Sequence, residues 1–223
     1  MGKAVEKIAL EKNHEIVGRV DLGDVKPYPV ADVAIEFSQP DAAIHNLKKC
    51  IDAKIPVVCG TTGWYNEKED IEKYCLERNG TLFYASNFSL GVNIFFLLNE
   101  YLARWMDPHP DYRVAIDETH HTQKKDSPSG TALMLAEGII KNSSQKKEWA
   151  TPENPKPGAV VISSFRVDPA PGTHVVRYQS PADDIEIKHM AHSREGFASG
   201  AVQVAEWLVG KHGVFTMKDF LKF

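Results

Sequence analysis

With 223 residues, the chain is long enough to bury a core in one or two domains. Its 26 basic and 30 acidic residues leave a net charge of −4 with no basic block, which argues against a nucleic-acid partner. Three cysteines (Cys50, Cys59, Cys75) lie in apolar segments and form no C-x-x-C pair, so a reducing cytoplasm is expected rather than a disulfide framework, and no apolar run reaches the length of a membrane span or forms the centre of a signal peptide.

In chain order, Gly2 is followed by a helical pattern (Ala4, Val5, Ile8, Ala9) and then by a strand-like stretch, Glu15 to Val20, ending at Asp21. In a G-x-G-x-x-G dinucleotide fingerprint, the third glycine opens a helix and an acidic residue roughly 20 positions on takes the ribose hydroxyls. Gly2 and Asp21 fit those two places. The strand and the two glycines that should precede Gly2 are absent, which favours a shortened version of a longer chain over a true start with a reduced nucleotide fold. A doubly wound sheet lacking that strand would have a gap at its centre unless the sheet closes up or another segment fills the slot. Asp21 disfavours a 2′-phosphate and points to NADH, although Arg19, on the same expected strand face, could receive one.

Leu22 to Ala31 reads as a loop. Asp32 to Phe37 reads as a buried parallel strand, and Ser38-Gln39-Pro40 opens a helix with Ile44, Leu47 and Ile51 on one face. Ile55 to Cys59 is a further strand running into Gly60-Thr61-Thr62-Gly63. In an open α/β sheet, ligands bind at the carboxyl ends of the strands, which is where Phe37-Ser38 and Gly60-Thr61-Thr62 stand. Asn66 and Glu69 have capping-box spacing, Gly80 ends that helix, and Thr81 to Ser86 forms the next strand. Leu90 to Met106 is an apolar helix stopped by Asp107-Pro108-His109-Pro110. Asn142 to Gly158 is a polar, Pro-rich surface excursion. Ala159 to Val167, His174 to Ser180 and Asp184 to Met190 are strands that join Tyr112 to Glu118 in a four-stranded sheet, and Phe197 to Trp207 is the closing helix.

Chemistry concentrates between Ala115 and Glu137, AIDETHHTQKKDSPSGTALMLAE, a strand-to-helix turn. Ser127 is a good N-cap and Pro128 suits the first helical position, which would leave the backbone N–H groups of Ser129, Gly130 and Thr131 pointing outward at the positive end of the helix. Such an end binds carboxylate or phosphate. Just upstream, His120, His121 and Lys124 supply groups that exchange protons near neutral pH. Taken singly, each feature has an ordinary structural reading as a cap, a solvated loop or a local hydrogen bond. Their coincidence in one turn favours a site.

The run E-x-H-H-x-x-K-x-D-x-P-S-G-T-A, Glu118 to Ala132, closely resembles the signature of the 4-hydroxy-tetrahydrodipicolinate reductase (dihydrodipicolinate reductase) family, with related stretches from Asp32 to the last helix. The resemblance implies an α/β chain: a Rossmann-like parallel-sheet nucleotide domain, N-terminally truncated, over residues 1–88 and 196–223, and an α+β substrate and oligomerisation domain with a four-stranded mixed sheet over residues 89–195. It implies NADH or NADPH as cofactor and a small cyclic dicarboxylate as substrate in lysine and diaminopimelate biosynthesis. It further implies a cytoplasmic homotetramer. Carried over by position, His120 and Lys124 are the proton-donor pair, with the choice between them open, and His121, Ser129, Gly130 and Thr131 bind substrate. Asp126 either orients Lys124 or caps the loop. Gly2, Asp21, Phe37, Gly60, Thr61, Thr62, Ser86, Asn87 and Phe88 bind the nucleotide, the last two in a stretch, Asn87 to Gly91, resembling the family's interdomain hinge. No metal is implied. Two rivals stand beside this reading: a metal hydrolase using His120, His121, His189 and His192, and a folded but catalytically impaired fragment unable to bind cofactor.

Overall fold

The structure, a computed structural model, describes residues 1–21, 29–193 and 195–222. The chain divides into two compact units, Met1–Leu90 with Glu195–Phe223, and Gly91–Arg194. In chain order the elements are α1 (Gly2–Glu11), β1 (Ala34–Glu36), α2 (Pro40–Asp52), β2 (Val57–Cys59), a 3₁₀ turn (Tyr65–Glu67), α3 (Lys68–Glu77), β3 (Thr81–Tyr84), α4 (Leu90–Met106), β4 (Arg113–His120), α5 (Gly130–Lys141), β5 (Trp149–Ala150), β6 (Val160–Arg166), β7 (Thr173–Gln179), β8 (Asp184–Met190), α6 (Glu195–Leu208), β9 (Gly213–Phe215) and α7 (Met217–Leu221). Among the described residues, no helix is long and apolar enough to cross a membrane.

The first unit is built on an all-parallel sheet of order β1-β2-β3-β9. Its strands are apolar on both faces because both are covered. Alternation sends Val58 and Phe83 to a core with Val5, Ala9 and the buried face of α6, and sends Val57, Cys59 and Leu82 to a second core with Leu47, Ile51, Ile71 and Trp64. The four strands are contiguous, which is the closed-up alternative, and β1 is the sheet edge. The strand expected over Glu15 to Val20 does not form: this stretch pairs with no strand among the described residues, and only its apolar residue Ile16 packs on the core. The stretch does not pair on the β1 edge, so it has no ladder to join. Most of the loop expected over Leu22 to Ala31 lies outside the described residues.

Two caps differ from expectation. Asn66 does not cap α3; a 3₁₀ turn occupies that place and Glu67 stands at the cap without a side-chain bond. At the other end Asn79, at φ +47°, takes the left-handed turn expected of Gly80, whose N–H bonds Cys75 O at 2.8 Å. Gly80 is needed for packing, since a Cβ there would lie 2.9 Å from Ile51. Beyond α6, β9 was not foreseen. Three residues of Gly-Val-Phe carry little pattern, yet they complete the sheet beside β3.

The second unit is a mixed sheet of order β5-β6-β4-β7-β8. It has five strands rather than the expected four, because β5 arises inside the polar excursion of 142–158, where Ala150 is buried and pairs beside β6. One face carries Val114, Ile116, Val160, Ile162, Val176 and Tyr178 against α4 and α5. The alternate residues, among them Ala115, Val161, Phe165, Val175 and Met190, form the other face.

Candidate active site

The site is built on β4. Its alternation points Val114, Ile116, Glu118 and His120 to the buried face, so the apolar floor becomes polar in its last four residues. Register then sets the neighbours: Glu118 lies between Ser164 on β6 and His174 on β7, and Arg166 is paired with His120. Glu118, with no solvent exposure, accepts from Ser164 Oγ at 2.7 Å and from the Ser129 N–H at 3.1 Å to each oxygen, with the Arg166 guanidinium at 3.4 Å. Burial alone would raise this carboxyl. The hydrogen bonds from Ser129 and Ser164 and the nearby His120 outweigh it, and the group sits below the usual carboxylate range.

Two imidazoles meet this carboxylate. His120 Nδ1 lies 3.4 Å and His174 Nε2 3.7 Å from Glu118 Oε2, and the rings meet edge to face with centroids 5.0 Å apart. Burial pushes both below the ordinary histidine value, His174 to about 4; Glu118 opposes the shift and Lys124 adds to it. The Nδ1 atoms of both rings are buried without a well-formed hydrogen bond.

The loop after β4 is tied down from both sides. Lys124 Nζ bonds both Asp126 oxygens at 2.9 Å, which lowers the Asp126 carboxyl. Arg166 reaches across to Asp126 O at 2.7 Å, and Thr122 bonds Asp168 through its N–H at 3.0 Å and its hydroxyl at 2.6 Å. His121 accepts the Lys124 N–H on its carbonyl at 3.2 Å.

Helix α5 starts two residues later than expected. Ser129, not Ser127, is its N-cap, accepting the Ala132 N–H at 3.2 Å while its hydroxyl meets His174 Nε2 at 3.1 Å. The amide of Ser129 is consequently turned onto Glu118 rather than outward, which leaves Gly130 and Thr131 as the first-turn donors ahead of the Leu133 N–H, which bonds Ser129 O. The helix begins where Glu118 and His174 hold its cap, and those partners come from other strands.

In the first unit, the carboxyl ends of β1, β2 and β3 bring several expected nucleotide residues together. Ser38 N–H bonds Thr61 Oγ1 at 2.8 Å, Gly60 N–H bonds Glu36 O at 2.9 Å, and the Trp64 indole holds Thr61 O at 2.8 Å. Phe37 packs over Gly60, where a Cβ would fall 2.0 Å from its ring, and meets Phe88 edge-on at 5.8 Å. Asn87 caps this turn, accepting the Ser89 N–H at 2.8 Å, with Ser86 before it and Thr62 on the exposed side of the Gly60 loop. Gly2 opens α1, and Asp21 ends the extended stretch. Arg19, expected to be available to a phosphate, forks instead onto Glu6 of α1, with Nε at 2.9 Å. A glycine loop closed by Phe37 at the carboxyl ends of parallel strands stands where an open α/β sheet takes a ligand.

Four residues of this cluster, Glu118, Ser164, Arg166 and His174, are not among the sequence-based candidates. Glu118 carried a signal, a carboxylate in step with Val114 and Ile116 on the buried side of a strand. His174 and Arg166 carried none, since only register brings them there. The metal reading gathered the wrong histidines: His189 is paired opposite His174 but packs on Phe95, while His120 has Glu118 and His174 within 4.8 Å. The carboxylate in that group is already met by Arg166, the Ser164 hydroxyl and the Ser129 amide at the start of α5, which suits a proton-holding cluster.

The family description "Dihydrodipicolinate reductase, N-terminus" matches residues 1–88 and "Dihydrodipicolinate reductase, C-terminus" matches residues 91–221. A 4-hydroxy-tetrahydrodipicolinate reductase of Christiangramia forsetii is 46% identical, over 99% of this chain and 93% of the relative. One from Caldanaerobacter subterraneus subsp. tengcongensis is 36% identical, over 100% of this chain and 94% of the relative. Among solved structures, a dipicolinate-bound dihydrodipicolinate reductase from Paenisporosarcina sp. TG-14 superposes with a TM-score of 0.74 at 19% identity, covering 98% of this chain and 94% of that one. The matched regions carry both the nucleotide-side loops and the turn from Glu118 to Ala132, and the chain belongs to the dihydrodipicolinate reductase family.

Proposed function

We propose that this chain is an NAD(P)H-dependent oxidoreductase that reduces 4-hydroxy-tetrahydrodipicolinate to tetrahydrodipicolinate in lysine and diaminopimelate biosynthesis. The observation that carries the reading is the turn from Glu118 to Ala132, where a buried imidazole, a clamped ammonium and a helix terminus are held together by β4, β6 and β7 in a chain of this family. A cyclic dicarboxylate matches that equipment. The Gly130 and Thr131 N–H groups, at the positive end of α5, receive one carboxylate, and His121 and Lys124 meet the remaining polar groups. Ser129 contributes by setting the direction of that helix end.

Lys124 neutralises substrate charge, and the bidentate contact with Asp126 supports the orienting role for that carboxylate over simple loop capping. His120 and Lys124 form the proton-donor pair. The nucleotide supplies the hydride when bound. Phe37, Gly60, Thr61, Thr62, Ser86, Asn87 and Phe88 would hold its nicotinamide side, and Gly2 and Asp21 its pyrophosphate and ribose. With Arg19 engaged by Glu6, NADH serves at least as well as NADPH. Residues 1–88 and 196–223 thus form the nucleotide domain and 89–195 the substrate domain, in a cytoplasmic homotetramer joined through the open face of the β5–β8 sheet. Three buried, unpaired cysteines are in keeping with that compartment.

The test is turnover of enzymatically generated 4-hydroxy-tetrahydrodipicolinate, followed by nucleotide absorbance with each cofactor, in the natural chain and in Lys124→Ala. The variant is expected to keep its circular dichroism and lose on the order of 10²-fold or more in kcat. Near-normal turnover would remove Lys124 from the mechanism, and an inactive natural chain would remove the reductase reading.

A further inference from the structure

The two nitrogens of His120 face different surroundings. Nδ1 is turned into the protein, buried, with Glu118 Oε2 at 3.4 Å. Nε2 lies against Gly172, where even a single Cβ would stand 3.1 Å away. One side of the ring thus meets a carboxylate, and the other meets backbone that carries no side chain. Glu118 itself has little freedom: Ser164, the Ser129 amide and Arg166 fix its plane, and Arg166 also braces the loop carrying Lys124 and Asp126.

We propose that Glu118 is a positioning residue that holds neutral His120 as the Nδ1–H tautomer, so that Nε2, on the Gly172 side, is the atom that takes and gives up the proton. This rests on the reductase reading for its purpose but not for its test. A buried carboxylate beside one imidazole nitrogen selects the tautomer with hydrogen on that nitrogen, because the alternative sets a lone pair against an anion. The groups facing His120 are Glu118 on β4, Arg166 on β6, His174 on β7, and Lys124 and Asp126 in the loop. Of these, Arg166 and Lys124 favour the neutral ring, and His174, uncharged through its burial, adds no fixed charge. When Nε2 carries a second proton, Glu118 and the imidazolium form a neutral pair. Donation of that proton to substrate breaks the Nε2–H bond, leaves its electron pair on Nε2 and returns the ring to the Nδ1–H tautomer.

The experiment is ¹⁵N NMR of the imidazole nitrogens in selectively labelled full-length chain, with His120 assigned by its absence in His120→Gln. The neutral His120 ring is expected as Nδ1–H in the natural chain and to shift toward Nε2–H in Glu118→Gln, whose amide can present a donor to Nδ1. Glu118→Asp, which keeps the charge, is expected to retain Nδ1–H. Turnover by Glu118→Gln should fall on the order of 10²-fold in kcat with little change in KM for the dicarboxylate. A natural chain already in the Nε2–H form, or a tautomer unmoved in Glu118→Gln, overturns the proposal. Because the tautomer is read without turnover, an inactive natural chain with Nδ1–H intact would instead count against the reductase reading.

Discussion

His174 sits in a setting unlike the one its type prefers. It is buried between β4 and β8, and burial, reinforced by His120, lowers it from 6.5 to about 4. The unfolded chain therefore binds more protons than the folded one between those values, so this residue's contribution to stability is fully present above the unfolded pKa and is lost as pH falls toward the folded one. Between about pH 7 and pH 5 the loss should approach about 2 kcal/mol. Urea unfolding at both pH values, in the natural chain and in His174→Gln, checks it: the substitution should shrink the pH dependence by that amount, and an unchanged slope would show that His174 titrates normally. At this scale the sequence was partly readable. His120, Lys124 and Gly130 announced themselves by type and spacing. The partners that make them useful, Arg166 and His174, lie 46 and 54 residues after His120 and become neighbours only through strand register. The shift of the cap from Ser127 to Ser129 has the same origin, because local capping preference was outvoted by Glu118, which claims the Ser129 amide.

Elements with strong apolar periodicity were legible, and those that depend on a partner were not. The helix over Leu90 to Met106 and the strand over Asp184 to Met190 fall where the pattern puts them. Glu15 to Val20 has an equally good strand pattern and no ladder, whereas β9, with almost no pattern, forms because the β3 edge is free to receive it. Helix α6 packs even closer than its apolar face requires. A Cβ on Gly200 would fall 1.8 Å from the Phe88 carbonyl oxygen, so the helix touches backbone there and nothing can move aside cheaply. Gly200→Ala is expected to lose about 3 kcal/mol or more in denaturant unfolding. It should also weaken NADH binding by calorimetry, because Asn87 and Phe88 lie in the displaced turn. A variant as stable as the natural chain would mean that α6 is free to shift.

For the molecule as a whole, the open face of the second sheet is the surface through which the proposed tetramer would be joined. Ala115, Val161 and Val175 sit there among Asp117, Arg177, Glu186 and Lys188, with Arg177 ion-paired to both Asp117 and Glu186. Sedimentation of the natural chain should give about four times its 24.9 kDa mass, and Val161→Glu should lower that value while far-UV circular dichroism stays unchanged. A monomeric natural chain would remove the tetramer.

The division of the chain also has a temporal side. Residues 91–194 are continuous and own a complete sheet, whereas the first unit draws much of one core from Ala198, Ala201, Val202, Val204, Ala205 and Leu208, and its last strand from 213–215. On a translating ribosome, the second unit can reach its final form while the first still lacks a wall. The Phe88 turn waits for Gly200 to be made before its packing is complete.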